Sequence, residues 1–304
     1  MSAVRHGRPV GASSSRRGGR HLHLNVMLVL VFGALGAVLP SVASAASPSY
    51  VAMGDSYTSG PGITPPSPTA PADCAQSQAN YPHLVAAALG LTLTDVSCSG
   101  ASTPDFTEAQ YPDQPPQFNA LTPTTEVVTV GMGGNDHNLF LTLVEGCTEA
   151  DLGKPNIGAP CKRRFATFVT RTFRETRAPQ EAALAEIHVL SPAAKVFVVG
   201  YPEITPTEGY CPTAIPWTTG DLKWFHNEVQ ARGNAGLKAE ARANNATFVN
   251  TFKPSAGHNA CEPLGTRWIE PLFGSLTIPV HPNALGEEND AFDVELAMLT
   301  HGVR

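Results

Sequence analysis

The apolar positions of this chain fall into short runs separated by loops rich in Gly, Pro and Asn. Residues 50–53, Tyr-Val-Ala-Met, form an unbroken run that Gly54 ends, the pattern of a strand buried on both faces. Residues 126–130 and 195–199 repeat it, each followed by a glycine. Thr alternates with Leu or Val over 91–97, and 247–250 is a shorter run; both read as strands. Between these runs the spacing turns helical. Asn80 and Gly90 bracket residues 81–89 as the two caps of a short helix. Amphipathic spacing predicts helices around 163–175 and 180–190, and a long one that Thr219 caps and that reaches about Ala243. A last helix is predicted over 288–300. Residues 138–161 read as a loop excursion with some helix, and 61–71 and 104–123 as Pro-rich connections.

Strands alternating with helices imply βαβ crossovers. The expected fold class is therefore α/β, with a mostly parallel five-stranded sheet covered by helices on both faces. Ligands of such folds bind beyond the carboxyl ends of the strands. The glycine-bearing loops after Met53, Ser97 and Val130 all belong to that edge. No internal repeat and no second domain boundary is visible.

Residues 1–45 read apart from this pattern. Arg16, Arg17 and Arg20 precede an apolar run over 26–39, and Ala43-Ser44-Ala45 follows as a small-residue cleavage site. That order is the layout of a secretory signal peptide. Ser15-Arg16-Arg17 also opens a twin-arginine pattern, although Gly18-Gly19 stand where a bulky apolar residue is expected. The expectation is a leader over 1–45, a single domain over 46–304 and a secreted, extracellular product. The leader's apolar run is too short to span a bilayer comfortably, and no later stretch approaches the required length.

Charge narrows the partners. The leader carries five arginines and no acid, so without it the formal charge moves from −6 to −11. That balance argues against nucleic acid or an anionic membrane surface. Lipid substrates, met through apolar surface, stay open. All six cysteines (Cys74, Cys98, Cys147, Cys161, Cys211 and Cys261) lie beyond the leader. An even number in an exported chain implies disulfides, but six cysteines allow fifteen pairings and the sequence chooses none. No C-x-x-C, Walker loop, full dinucleotide fingerprint or H-E-x-x-H occurs, so neither a metal nor another cofactor is expected.

Acyl transfer needs a nucleophile, a base and donors aimed where oxyanion charge develops. Ser56, in Gly54-Asp55-Ser56, sits where a strand gives way to a turn, its backbone N–H free to meet an oxyanion. Gly100 follows a strand with small residues on both sides, which lets its N–H face the same pocket. Asn135, in Gly133-Gly134-Asn135-Asp136, ends another strand and offers a side-chain amide, and His281 stands just ahead of the last helix. Singly, each has an ordinary reading as a turn, cap or packing residue. Their order along the chain gives them weight. Asp55 reads as a turn-stabilising side chain, Asp136 as a loop brace and His137 as structural. Trp217 and Trp268 read as packing or rim residues, and Phe106, Leu139 and Phe140 as lining an acyl groove or the core. The absence of Gly-x-Ser-x-Gly argues against an α/β-hydrolase.

The ordered set resembles the SGNH (GDSL) hydrolase family. Gly54-Asp55-Ser56-Tyr57-Thr58-Ser59-Gly60 is similar to its first block, Gly100 to the glycine of its second, Gly133-Gly134-Asn135-Asp136 to its third and His281 to the histidine of its fifth. The six-cysteine layout and Gly265-Thr266-Arg267-Trp268-Ile269-Glu270-Pro271 resemble the secreted lipases and esterases of streptomycete-type actinobacteria. The resemblance implies a flavodoxin-like α/β/α sandwich and sequential disulfides, Cys74–Cys98, Cys147–Cys161 and Cys211–Cys261. It implies Ser56 as nucleophile, His281 as base, and an oxyanion hole from Ser56, Gly100 and Asn135. The expected activity is cofactor-free hydrolysis of acyl-ester or lipid substrates by a monomer. A polysaccharide O-deacetylase and a catalytically silent binding module are the alternatives. One departure stands out. Where the family usually places an Asp, three residues before the histidine, this chain has Ile278. Some relatives orient the histidine with a main-chain carbonyl, which falls here to Ile278. Glu270, Asp290 or Asp293 reaching in through space is the rival.

Overall fold

A computed structural model describes residues 47–304, so the leader expected over 1–45 lies outside the described residues. Five strands form one sheet: β1 (Ser49–Gly54), β2 (Thr92–Asp95), β3 (Val127–Gly131), β4 (Lys195–Val199) and β5 (Thr247–Val249). Their order is β2-β1-β3-β4-β5, and every neighbouring pair is parallel. The helices are α1 (Ser56–Ser59), α2 (Tyr81–Leu89), α3 (Leu139–Asp151), α4 (Pro160–Leu190), α5 (Thr219–Trp224), α6 (Arg232–Ala243) and α7 (Ala284–Thr300), and a π-helical segment, Phe225–Ala231, joins α5 to α6.

Successive side chains of a strand point to opposite faces, and both faces here are buried. Val51, Met53, Val128, Val130, Val196 and Val198 pack with Leu184 and Ile187 of α4 and Leu237 and Ala241 of α6. Tyr50, Ala52, Val127, Phe197 and Val199 pack with Val85 of α2 and Val294 and Met298 of α7. The continuous apolar runs are thus the signature of a doubly covered parallel sheet, and the architecture is the expected three-layer sandwich. A third cluster, with Tyr57, Leu143, Trp217 and Ile269, fills the space beyond the carboxyl ends of the strands. It makes Trp217 a packing residue.

Several boundaries differ from expectation. The two helices expected around 163–175 and 180–190 are one 31-residue helix, α4, which carries Pro179 in its interior. Proline removes one backbone donor, but burial of Val169, Thr172, Thr176, Ala183, Leu184 and Ile187 along one face holds both halves together. The loop excursion after residue 138 contains the full helix α3, whose Leu139, Leu143 and Cys147 are buried. The cap before α5 is Thr218, which accepts the Asp221 N–H, and Thr219 is the first helical residue. Asn283 caps α7 by accepting from Gly286, so that helix starts four residues earlier than expected. The three disulfides are Cys74–Cys98, Cys147–Cys161 and Cys211–Cys261.

Candidate active site

β1 delivers the chain to the sheet edge and α1 turns it at once. Asp55 caps that turn, its carboxylate accepting the Tyr57 N–H at 2.9 Å. Gly60, at φ +67°, closes it. Gly54 is required by close approach: a Cβ there would lie 2.2 Å from Thr58 Oγ1 and 2.7 Å from the Gly131 carbonyl oxygen. The side-chain amide of Gln117 pairs with both backbone groups of Gly54, at 2.9 and 3.0 Å. Ser56 is therefore held at the first position of a helical turn, where a backbone N–H has no carbonyl one turn earlier to bond.

His281 arrives from the other end of the chain. Its Nε2 lies 2.8 Å from Ser56 Oγ, and its Nδ1 lies 2.8 Å from the carbonyl oxygen of Pro279. The ring sits 5.1 Å from that of Tyr57 and 5.7 Å from that of Phe140, centroid to centroid. The main-chain acceptor thus belongs to Pro279, not Ile278. Val280 explains the shift: at φ +62° it adopts a left-handed conformation, costly for a β-branched residue, and turns the Pro279 oxygen back beneath the imidazole. Ile278 lies farther out, 40% exposed.

The strained turn is held on both sides. Tyr57 donates its hydroxyl to the Val280 carbonyl, the Val280 N–H bonds the Glu270 carbonyl at 3.0 Å, and the Glu270 N–H bonds the His281 carbonyl at 2.9 Å. None of the rival acids bonds the imidazole. Glu270 accepts from Arg267, Leu276 N–H and Asn283, and Asp293 accepts from Asn289. Asp290 is buried on α7, with one oxygen lacking any partner among the described residues. Burial lowers the His281 pKa, and the Pro279 carbonyl offsets part of that shift.

The third loop meets this pair from the side. Asn135 donates to the Ala101 carbonyl at 3.0 Å, which leaves its second amide hydrogen free. Asp136 accepts from the backbone and the hydroxyl of Thr103, at 2.7 and 2.6 Å, the bracing role expected of it. Asn135 and Ser56 line one cavity of about 410 Å³, walled by Leu139 and Phe140 among others. Gly100, at φ +80°, lies on the loop that Asn135 grips, but it is exposed and does not line that cavity.

Sequence reasoning overlooked Tyr201. Its hydroxyl donates to Asp55 Oδ2 at 2.5 Å and accepts the Gly134 N–H at 2.9 Å, tying the serine turn to the third loop. Burial pushes the Asp55 carboxyl up to about 7. The available signal was its place just past the carboxyl end of β4, the edge where such folds put their sites.

A family model, the GDSL-like lipase/acylhydrolase family, matches residues 52–288. The chain belongs to this family. It is 41% identical to Lipase 2 of Streptomyces coelicolor over 268 residues, 86% of this chain and 90% of that one. It is 29% identical to an esterase of Streptomyces scabiei, across 86% and 91% of the two chains. Among solved structures it resembles phospholipase A1 from Streptomyces albidoflavus NA297, with a TM-score of 0.68, 25% identity and coverage of 83% and 99%. The extracellular lipase of Streptomyces rimosus gives a TM-score of 0.67, 26% identity and the same coverage. The protein is a serine ester hydrolase of the lipase and esterase type, acting on acyl esters.

Proposed function

We propose that this family member is a secreted lipase or esterase working through a Ser56–His281 dyad, with the Pro279 carbonyl in place of a triad acid. The observation that carries this reading is the pair of 2.8 Å contacts on the two nitrogens of one imidazole. A carbonyl only accepts, so Nδ1 must hold the proton and donate it to Pro279. Nε2 is then left with its lone pair toward the Ser56 hydroxyl, the tautomer a general base requires.

In the reaction, His281 takes the Ser56 proton as Oγ attacks the ester carbonyl. The tetrahedral oxyanion is met by the backbone N–H of Ser56 and the free amide hydrogen of Asn135; Gly100, the third donor expected from the sequence, stands outside the cavity those two share. His281 then protonates the departing alkoxide, and water, activated by the same nitrogen, releases the acid from the acyl-enzyme. Residues 1–45 act as a cleaved export signal, and the three disulfides suit an oxidising exterior.

A fluorophosphonate probe tests the nucleophile. The expected outcome is covalent labelling of the native protein and none of Ser56→Ala; equal labelling of both overturns the assignment. A series of p-nitrophenyl esters with a triglyceride emulsion then ranks lipase against esterase, and hydrolysis of acetate alone would favour a deacetylase.

A further inference from the structure

The two oxyanion donors sit on different loops, and one hydroxyl stands between them. The last backbone bond that the sheet supplies here runs from the Asp55 N–H to the Gly131 carbonyl, at 3.0 Å. Beyond it β1 enters α1, while the other chain passes Met132, Gly133 and Gly134 before it reaches Asn135. Gly133, at φ +122°, has a backbone that side-chain-bearing residues avoid, so this approach has little stiffness of its own. Its other bonds lead away from the serine. Asn135 and Asp136 bond Ala101 and Thr103, and the Phe140 N–H bonds the Gly134 carbonyl. Among the described residues, the Tyr201 hydroxyl is the one group hydrogen-bonded both to the serine turn and to this approach. Its two partners, Asp55 and Gly134, are the residues immediately before Ser56 and Asn135.

Tyr201 is itself fixed. The Asn234 side chain of α6 accepts its N–H at 2.9 Å and donates to its carbonyl at 3.0 Å. Its ring meets that of Tyr57 edge-on, with centroids 5.2 Å apart. The seat is close: a Cβ on Gly134 would stand 3.2 Å from the hydroxyl oxygen and 3.3 Å from the ring carbon that bears it. Oxyanion donors act by preorganisation, and a misplacement of about 1 Å costs on the order of 10²-fold in rate. A hydroxyl held this way fixes a spacing on that scale.

We propose that Tyr201 is the positioning residue of the oxyanion hole: its hydroxyl sets the separation between the Ser56 N–H and the Asn135 amide without bonding the oxyanion itself. The inference rests on the reading of Asn135 as an oxyanion donor.

The test is a double-mutant cycle on kcat for p-nitrophenyl butyrate, with active sites counted by fluorophosphonate labelling so that only folded enzyme contributes. Tyr201→Phe keeps the ring and removes both bonds. The expected result is a kcat about tenfold lower at unchanged KM, part of the loss that a full ångström would cause. In an Asn135→Ala background the same substitution should cost less than about twofold, because the donor it positions is gone. A purely structural role would lower the unfolding midpoint and reduce kcat by one factor in both backgrounds. That equality overturns the proposal, as does an undiminished kcat in Tyr201→Phe. Should Tyr201→Phe fail to fold, Gly134→Ala decides, since its methyl wedges the hydroxyl out of its seat. The expected loss of kcat must again vanish without the Asn135 amide, and a wedge that leaves kcat intact, or a loss that persists in Asn135→Ala, rejects the tether. A native kcat in Asn135→Ala alone would instead overturn the donor reading, and this inference with it.

Discussion

The hydroxyl of Tyr57 is hydrogen-bonded to the carbonyl of Val280, so the residue after the serine holds the residue before the histidine. Both are buried, and Val280 is the residue whose left-handed backbone turns the Pro279 oxygen under the imidazole. The same Tyr57 ring packs against His281. One side chain thus links the turns that carry Ser56 and His281, though the two stand 225 residues apart in sequence. Tyr57→Phe keeps the ring and removes the donor, leaving a buried carbonyl unpaired at a cost of about 1–3 kcal/mol. The expected outcome is a lower unfolding midpoint together with a reduced kcat, because Val280 is then free to relax. A variant that loses stability at undiminished kcat would show that the tether does not position the base.

Asn135→Ala separates chemistry from folding. The Asn135 side chain makes one hydrogen bond, to the Ala101 carbonyl, and it is not buried. Loss of an oxyanion donor costs about 10²–10³-fold in kcat, so kcat should fall by that factor with little change in KM or thermal midpoint. A change confined to KM would place Asn135 in substrate binding only.

Replacing acids by amides tests the dyad. Glu270→Gln, Asp290→Asn and Asp293→Asn should each leave kcat nearly intact, since none of these carboxylates touches the His281 ring. Glu270→Gln should still lower stability, because that side chain accepts from Arg267, the Leu276 N–H and Asn283. A fall in kcat approaching ~10⁴-fold in any of the three, the loss typical of a missing triad acid, would overturn the carbonyl assignment.

The sheet was legible because parallel strands buried on both faces must read as continuous apolar runs, and β1, β3 and β4 do. The meeting of Ser56 with His281 was legible because both sit in short, ordered motifs. What the chain could not announce was set by tertiary contact. Helix α4 runs through Pro179 because its buried face continues on both sides of it. The choice of Pro279 over Ile278 hangs on one dihedral angle, and a positive φ at valine is not a preference that sequence encodes. Tyr201 lies just past β4, outside every motif of the sequence, and only the fold brings its hydroxyl between Asp55 and Gly134.

Stability should fall as the pH rises through neutrality. Burial raises the carboxyls of Glu287 and Asp290 well above the usual range, with each other or Asp293 adding repulsion, and it raises Asp55 and Glu240 to about 7. A carboxyl with a raised native pKa keeps its proton in the folded chain while the unfolded chain, titrating near 4, has already lost it. The folded state then binds more protons, so unfolding free energy declines with increasing pH from about 4 until the native groups have ionised. His281, whose native pKa is lowered, works in the opposite sense, adding stability as pH rises through its own range, but it is one group against these carboxyls and others that burial also raises, Asp95, Asp151 and Asp293 among them. Urea unfolding followed at about pH 5 and about pH 8 should show the lower midpoint at the alkaline value. Asp290→Asn removes an ionisable group whose Oδ1 has no partner among the described residues, and it should raise the midpoint at about pH 8 and flatten the difference. An unchanged slope in Asp290→Asn would mean that this carboxyl ionises freely in the folded protein, and the pH dependence would then have to come from the others.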